Sequence, residues 1–258
     1  MGIPGRFTKD QFGYSIPLNA PLYHKFPVVY RDARVVSIEY DTDLDAALAL
    51  LPSQLEVDEE KPVKVTAIFA DYPWSTVGSY KEVAQVLHCK YKHHDKYKDL
   101  DMLYAVHFHV TTAEAMSAGR EIAGFPKKIG DIEFDGDKTY ASRLESPAGV
   151  CICSAQFTPV QKVVNPKDKE PVLPTEKKYV SLRVIPNPEH EFEPSLRQLI
   201  GTKWILGPGE VWGGVGQLHL TAASSQDPYH KLPIKKITAS TLFLGSMEAS
   251  AVTFVDNV

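Results

Sequence analysis

The sequence predicts a single domain, residues 1–258, of the α+β class. It is predominantly antiparallel β, closed into a barrel or strongly coiled as one sheet, with a few short helices. Strand-like segments follow one another along the chain, and the helix-favouring segments between them are short. The regular strand–helix–strand alternation of a parallel sheet is missing, and no glycine-rich phosphate loop follows a strand. A chain of 258 residues is also long enough to bury a sizeable core.

Most of the chain divides into strands and connecting segments by composition and alternation. Residues 1–30 are rich in proline, glycine and aromatics without periodicity, so we expect an extended arm laid over the body or over a neighbouring subunit. A surface loop is predicted over 158–178, and one or two helical turns over 193–200. Strands are predicted over residues 34–40, 62–72, 80–91, 103–110, 131–134, 139–144, 149–157, 179–186, 203–206, 210–221 and 237–255.

Two short helices have recognisable ends. Thr42 is expected to cap the first, which Pro52 terminates. Thr111 or Thr112 is expected to cap the second, which terminates at Gly119. Neither segment is long enough to cross a membrane, and no apolar run approaches the roughly 18 residues required.

Charge and cysteine content narrow the function classes. The net charge of −4 and pI of about 6.1 give no basic footprint for nucleic acid. Three cysteines are too few for a disulfide framework, and no signal peptide is evident, so a cytoplasmic location is the default expectation. The pairs His93–His94 and His107/His109 can bind metal in principle, but a loop and a strand face are the simpler interpretations, so no metal site is predicted.

The segment from Gly119 to Gly130, Gly-Arg-Glu-Ile-Ala-Gly-Phe-Pro-Lys-Lys-Ile-Gly, has two adjacent lysines after an aromatic and a proline. A lone lysine pair is usually solvated surface charge. The alternative is a neutral, buried lysine that condenses with a ketone to form an imine. Only about 0.04% of a free lysine is neutral at pH 7, so such a site must destabilise the ammonium by roughly 4–5 kcal/mol.

Burial and a neighbouring ammonium can both supply this destabilisation. A second ammonium about 6 Å away contributes roughly 2.8 kcal/mol at an effective dielectric of 20. Adjacent residues of an extended segment point to opposite faces, however, so Lys127 and Lys128 should not enter one pocket together. We therefore expect burial to contribute more than the neighbouring charge, and Lys128 to lie outside the pocket.

The motif Gly-Arg-Glu-Ile-x-Gly-Phe-Pro-Lys-Lys resembles the signature of the acetoacetate decarboxylase family, and the resemblance extends over nearly the whole chain. Further similar motifs occur in the family's order: Thr-Asp-Leu-Asp-Ala at 42–46, Gly-Ser-Tyr-Lys-Glu at 78–82, Leu-Arg-Val-Ile-Pro-Asn at 182–187, Glu-Val-Trp at 210–212 and Leu-Pro-Ile-Lys at 232–235. The resemblance implies a cofactor-free decarboxylase that acts on a small β-keto acid, acetoacetate first, with no membrane or nucleic-acid partner. It also implies a homo-oligomer, which the N-terminal arm would suit.

The resemblance also implies roles for individual residues. Lys127 is the Schiff-base nucleophile, a mechanism known for this family, and Lys128 is its electrostatic neighbour. Glu82 matches the family's pocket glutamate, although a salt-bridged strand glutamate is its bland alternative. The family's site arginine corresponds to Arg34, or to Arg31 three residues earlier.

The sequence departs from the family in two places. Where relatives have a second pocket glutamate on the strand before Asp71, this chain has Val65 or Thr66. The segment 93–99 also differs from the shorter versions in relatives. A missing carboxylate weakens the expectation of acetoacetate itself and leaves a different or larger β-keto acid open.

Three functions remain in view. The first is decarboxylation through an imine on Lys127. The second is an imine-forming enzyme of the same fold that performs aldol or dehydration chemistry on a keto acid. The third is a ligand-binding β-barrel without turnover, in which the lysine has ordinary reactivity.

Overall fold

The chain was analysed as a computed structural model that describes residues 2–23, 25–91, 100–164, 176–250 and 253–258. Its two α-helices in these ranges are α1 (Leu44–Leu48) and α2 (Ala113–Ala118). The strands of the described residues are β1 (Val28–Asp41), β2 (Leu55–Glu56), β3 (Lys64–Tyr72), β4 (Trp74–Ser75), β5 (Tyr80–Tyr91), β6 (Asp101–Val110), β7 (Lys127–Ile129), β8 (Asp131–Gly136), β9 (Tyr140–Glu145), β10 (Cys151–Lys162), β11 (Glu176–Ile185), β12 (Leu196–Leu220), β13 (Lys236–Ala249) and β14 (Phe254–Asn257).

All strands belong to one sheet, and part of that sheet closes on itself. The strand order is β11-β6-β5-β3-β1-β13-β12-β10-β9-β8, and an additional pairing of β11 with β12 joins the first seven into a ring. Among the described residues, pairing is antiparallel except where β6 meets β7 and β11. The predicted fold class is therefore confirmed, and closure removes the free edges that an open sheet would expose.

The two faces of the ring have separate hydrophobic clusters. The inner cluster includes Tyr30, Tyr72, Phe108 and Trp204, and it encloses the space within the ring. The outer cluster packs the other face against β8, β9 and β10, with Tyr40, Phe69 and Leu144 among its members. Because successive residues of a strand alternate between faces, each ring strand contributes to both clusters.

Both predicted helices exist, but α1 ends at Leu48 and does not continue to Pro52, and its N-cap differs from the prediction. The N-cap of α1 is Asp43, whose side chain accepts a hydrogen bond from the Asp45 amide, so the assignment of this cap to Thr42 is wrong. Thr42 instead donates its hydroxyl to the Pro233 carbonyl. The N-cap position of α2 is Thr112, one of the two predicted residues.

The prediction of helical turns over 193–200 is wrong. Residues from Leu196 onward begin β12, which pairs with β11 and β14. The two predicted strands at 203–206 and 210–221 are parts of this one strand, and the Gly-Pro-Gly between them forms an irregularity in its pairing with β13. Tertiary pairing therefore overrides the local signals for breaks in this part of the chain.

Two other boundaries differ from the sequence prediction. The segment predicted as one strand over 237–255 forms β13 and β14, which both pair with β12. The loop predicted over 158–178 is shorter at its start, because β10 continues to Lys162, and residues 165–175 lie outside the described ranges. His93 and His94 also lie outside them.

Before β1, the described residues contain a single 3₁₀ turn at Lys9–Gln11 and are mostly exposed. Exposed apolar side chains occur here at Ile3, Phe7, Phe12 and Ile16. An arm that covers a neighbouring subunit stays a prediction.

No helix within the described ranges is long and apolar enough to span a membrane.

Candidate active site

The inner face of the ring holds one buried lysine. Lys127 is the first residue of β7, which pairs in parallel with β6 so that Lys127 lies beside Phe108 and Lys128 beside His109. Only 4% of Lys127 is exposed, whereas Lys128 is exposed on the opposite face. The strand geometry expected from the sequence therefore separates the two lysines.

The residues before Lys127 explain how the chain reaches this position. Helix α2 runs into one turn of π-helix at Gly119–Ala123, which ends at Gly124 in the left-handed region with φ of 73°. A side chain at Gly124 would also collide with the backbone of Arg183, since a Cβ there would lie 2.8 Å from the Arg183 Cα. Glycine is required at this turn for both reasons.

Phe125 and Arg120 then fix the segment. The Phe125 ring is buried and packs against Phe108 and Trp204, with ring centroids 5.1 and 6.5 Å away. The Arg120 Nη1 donates a hydrogen bond to the Lys127 carbonyl at 3.1 Å. These contacts hold the backbone of Lys127 from both sides.

Gly119 makes room for the lysine side chain itself. A Cβ at this position would lie 2.6 Å from the Lys127 Cδ and 2.8 Å from the Lys127 Cε. The glycine that opens the signature therefore has a steric role at the site.

The Lys127 Nζ lies 2.7 Å from the Glu82 Oε2, and only 3% of Glu82 is exposed. The distance is that of a close ion pair, although the angles at Oε2 fall outside those of a regular hydrogen bond. A proton can pass directly between groups at this separation. The structure thus joins two of the residues that the sequence singled out.

Aromatic side chains surround the pair. The Lys127 Nζ lies 5.5 Å from the Tyr80 ring centroid and 5.8 Å from that of Phe125. Burial raises the pKa of Tyr72 and Tyr80 well above the ordinary tyrosine value, and the Glu82 charge raises both further. These phenols therefore stay protonated at neutral pH and can donate hydrogen bonds to an anion.

A cavity of about 70 Å³ occupies the interior of the ring. All seven ring strands contribute to its lining, which comprises Val35, Ser37, Ile68, Tyr72, Glu82, Phe108, Lys177, Tyr179, Trp204, Leu206, Val211, Thr241, Phe243 and Met247. A second void, of about 20 Å³, lies beside the stem of Lys127 and shares Trp204 with the first. An enclosed, mostly apolar space with a few converging polar groups is typical of a small-molecule site.

Lys128 belongs to a different polar cluster. Its Nζ lies 2.9 Å from the Asp227 Oδ1 and also donates to the Gln226 carbonyl. Asp227 is 4% exposed, contacts the His109 Nε2 at 3.1 Å and accepts from Ser146. Burial alone would raise the pKa of Asp227, but the bonds from Lys128 and Ser146 and the neighbouring His109 outweigh it and hold the pKa low.

The structure does not bring Arg34 to the cavity. Val35 lines the cavity, so Arg34 points to the outer face, where its Nε donates to Asp71 at 3.0 Å and its guanidinium lies over Phe134. Arg31 is exposed and stacks on Trp74. Neither Arg34 nor Arg31, the two residues predicted as the site arginine, lines the ring cavity, and a role in substrate binding stays a prediction.

Val65 and Thr66, the residues predicted to stand where relatives have a second pocket glutamate, do not line the ring cavity. Val65 is in the outer core, and Thr66 contacts His88 through its hydroxyl at 2.8 Å. Of the described residues that line the ring cavity, Glu82 and Lys177 are charged. No group of three or more His, Cys, Asp or Glu side chains is arranged to hold a metal ion in the described ranges.

Several residues of the two clusters were not found from the sequence. Asp227 is 99 positions from Lys128, and nothing in its local pattern indicates the contact. Tyr72 and Trp204 carry only the strand-like composition of their neighbours. Lys177 lies in the segment predicted as a surface loop, although its strand pairing places it beside Trp204.

The ring of strands, antiparallel except between β6 and β11, holds a buried lysine–glutamate pair beside a small cavity, which is the arrangement of a protein that binds or transforms a small molecule. Residues 15–258 match the family model described as acetoacetate decarboxylase, and the chain belongs to this family.

Curated relatives and solved structures agree with this assignment. The chain is 29% identical over 254 residues to decarboxylase DEC1 of Cochliobolus heterostrophus, with 95% of each chain covered. It is 27% identical to acetoacetate decarboxylase of Clostridium botulinum, with 88% of each covered. The structure of acetoacetate decarboxylase from Legionella pneumophila has a TM-score of 0.78 at 24% identity, with 99% of each chain covered.

A more distant neighbour has the same fold. The enduracididine biosynthesis enzyme MppR, complexed with the condensation product of pyruvate and imidazole 4-carboxaldehyde, has a TM-score of 0.75 at 19% identity and 98% coverage of each chain. At such identities the likeness of either structure establishes the fold alone. The family and its named relatives support a decarboxylase-like enzyme.

Proposed function

We propose that the enzyme decarboxylates a β-keto acid, with acetoacetate as the first candidate, through a Schiff base on Lys127. The observation that carries the proposal is the buried Lys127 amine 2.7 Å from the carboxylate of Glu82, which lines the ring cavity. Membership of the acetoacetate decarboxylase family supports it.

The reaction begins when the neutral Lys127 amine attacks the substrate ketone and water leaves, which forms a protonated imine. Glu82 takes the ammonium proton that must leave before the attack, since its Oε2 is the nearest carboxylate oxygen to the Lys127 Nζ. Burial of the pair excludes water that would otherwise solvate the ammonium.

Loss of CO2 follows when the bond between the α carbon and the carboxylate breaks. The electron pair moves into the imine to form an enamine, which takes a proton at carbon, and hydrolysis then releases the ketone and the lysine amine. Overall, one keto-acid anion and one proton give one ketone and CO2. The apolar and aromatic walls favour this step because charge disappears as neutral CO2 forms.

In this proposal the charge of Lys128 destabilises the Lys127 ammonium less than burial does. Asp227 pairs with Lys128 and faces the outer cluster, so much of the Lys128 charge is compensated before it can act on Lys127.

The direct test is to incubate the enzyme with acetoacetate, reduce with borohydride and locate the adduct by mass. We expect the adduct on Lys127, none in Lys127→Ala, and retention of the adduct in the control Lys128→Ala. Absence of an adduct from Lys127 in the wild-type enzyme would contradict imine chemistry with this substrate.

A second candidate is an aldolase or dehydratase reaction through the same imine. It is favoured by the fold shared with MppR, whose structure contains a condensation product of pyruvate and an aldehyde. Measuring CO2 release beside carbon–carbon bond formation from pyruvate and an aldehyde separates the two, because both reactions require the same lysine.

A further inference from the structure

Lys177 is the single cationic side chain among the described residues that line the ring cavity. It lies on β11 opposite Trp204 of β12, and cross-strand partners point to the same face. Tyr179, two residues further along β11, shares this face and contacts Trp204 with ring centroids 5.8 Å apart. Lys177 is therefore an inward residue of the ring.

The position of Lys177 is the mouth of the cavity, which we define by Ser37, Lys177 and Thr241. These three residues line both the 70 Å³ cavity and a wider surface groove of about 690 Å³. A ligand that extends from the cavity into the groove must therefore pass the Lys177 side chain.

The Lys177 side chain has no hydrogen bond or ion pair to another described residue, unlike most charged side chains around the groove. The charge of Glu39 acts on Lys177 from a distance, but its carboxylate already pairs with the Lys64 Nζ at 2.5 Å. Burial lowers the pKa of Lys177, and Glu39 only partly offsets this. An anionic ligand at the mouth would thus supply a partner that the described residues do not provide.

We propose that Lys177 binds a second carboxylate of the substrate, so that the preferred substrates are β-keto acids with a carboxylate at the far end of the acyl chain. This inference rests on the proposed function and names its substrate class. The ketone would then lie towards Lys127 and Glu82, and the distal carboxylate at the mouth.

The carboxylate bound by Lys177 is not the one that leaves. An ammonium that holds a carboxylate stabilises its negative charge, and this interaction is lost as the charge moves away in the transition state. The departing carboxylate is better placed among the apolar walls deeper in the ring. A keto acid with a single carboxylate can place it either beside Lys177 or among the apolar walls, but not in both environments.

The test compares two substrates of equal chain length, 3-oxohexanedioate and 3-oxohexanoate, which differ by the distal carboxylate. The kcat/KM for CO2 release is measured for wild type, Lys177→Met and the control Lys178→Met, which changes the neighbouring residue on the other face of β11. We expect the wild type to prefer the dicarboxylate by about tenfold or more, Lys177→Met to lose this preference and Lys178→Met to keep it. Circular dichroism verifies that the variants are folded.

Equal kcat/KM values for the two substrates in the wild type, or a preference unchanged in Lys177→Met, would overturn the inference and leave the decarboxylase proposal intact. If neither substrate releases CO2, calorimetric binding of the products 4-oxopentanoate and pentan-2-one decides on Lys177, and the decarboxylase proposal fails only if acetoacetate releases no CO2 either. Tighter binding of 4-oxopentanoate that disappears in Lys177→Met supports its role, and any other result contradicts it.

Discussion

Gly119 leaves open the space that the Lys127 side chain occupies, since an added Cβ would lie 2.6 Å from the Lys127 Cδ. The backbone of Gly119 is helical, with φ of −62° and ψ of −45°, so alanine is compatible with its conformation. Replacing Gly119 by alanine therefore creates a steric conflict with the Lys127 side chain without straining the backbone.

Gly119→Ala is expected to reduce kcat by about 100-fold with little loss of stability. The added methyl displaces the flexible stem of Lys127, and a misplacement of about 1 Å can cost this much in rate. Replacing a helical glycine by alanine favours folding by up to about 1 kcal/mol, which offsets the strain. Steady-state CO2 release and thermal unfolding measure the two effects. A variant with unchanged kcat would contradict the steric role.

Glu82→Gln tests whether Glu82 takes the proton of Lys127. The amide keeps the shape of the side chain but cannot take the proton of Lys127, so we expect CO2 release to fall by roughly 100-fold or more. Because the Lys127 proton must leave before the attack on the ketone, borohydride trapping with acetone should also become slower. The matched control is Glu121→Gln, on the exposed side of the π-helical turn, where the carboxylate binds Tyr23 instead. Near-normal CO2 release in Glu82→Gln would exclude Glu82 from the chemistry.

Lys128→Met tests whether burial destabilises the Lys127 ammonium more than the charge of Lys128 does. Lys128 is about half exposed and pairs with Asp227, so its loss should lower kcat by less than tenfold and stability by about 1 kcal/mol. Borohydride trapping on Lys127 should persist. Complete loss of trapping in a folded variant would show that the second ammonium is the larger effect.

The sequence was most informative where a short motif and strand periodicity determine the geometry together. Alternation on an extended segment separates Lys127 from Lys128, and the Gly-Ser-Tyr-Lys-Glu motif leads to Glu82. Arg34 could not be placed this way because the pairing of β1 with β13 shifts between Tyr30 and Ala33, and the face of each following residue depends on that shift. A bulge is decided by the partner strand and not by local composition.

A bulge also explains why the alternating residues of β6 do not all lie on one face of the ring. Tyr104, Val106, Phe108 and Val110 alternate in sequence, but the pairing of β5 with β6 is irregular between Gln85 and Val86. Tyr104 therefore packs in the outer cluster and Phe108 in the inner one. Contacts between distant segments decide which face each residue occupies, and the local alternation of residue types does not show those contacts.

Arg34→Gln should affect stability more than catalysis. Its guanidinium pairs with Asp71 on the outer face of the ring and is partly exposed, so we expect a loss of about 1 kcal/mol in unfolding free energy. The kcat/KM should stay within about threefold of the wild-type value. A large increase in KM without a loss of stability would place Arg34 in substrate binding after all.

Buried histidines should make the protein less stable in acid. Burial, followed by the nearby His109 and Lys128, lowers the pKa of His107 to about 4, whereas an unfolded histidine has a pKa near 6.5. Between about pH 4 and 6.5 the unfolded state therefore binds more protons, and stability increases with pH over this window. The difference corresponds to a loss of up to about 3 kcal/mol when the pH falls from 7 to 4.

Urea unfolding from pH 4 to 7 measures this dependence. His107→Gln, whose amide can keep the contact with Gln85, should flatten the pH profile because the group that takes up the proton on unfolding is gone. The control His219→Gln changes an exposed histidine of β12 and should leave the slope as in the wild type. An identical slope in all three proteins would show that His107 does not titrate between the folded and unfolded states, and would assign the acid sensitivity to the carboxylates instead.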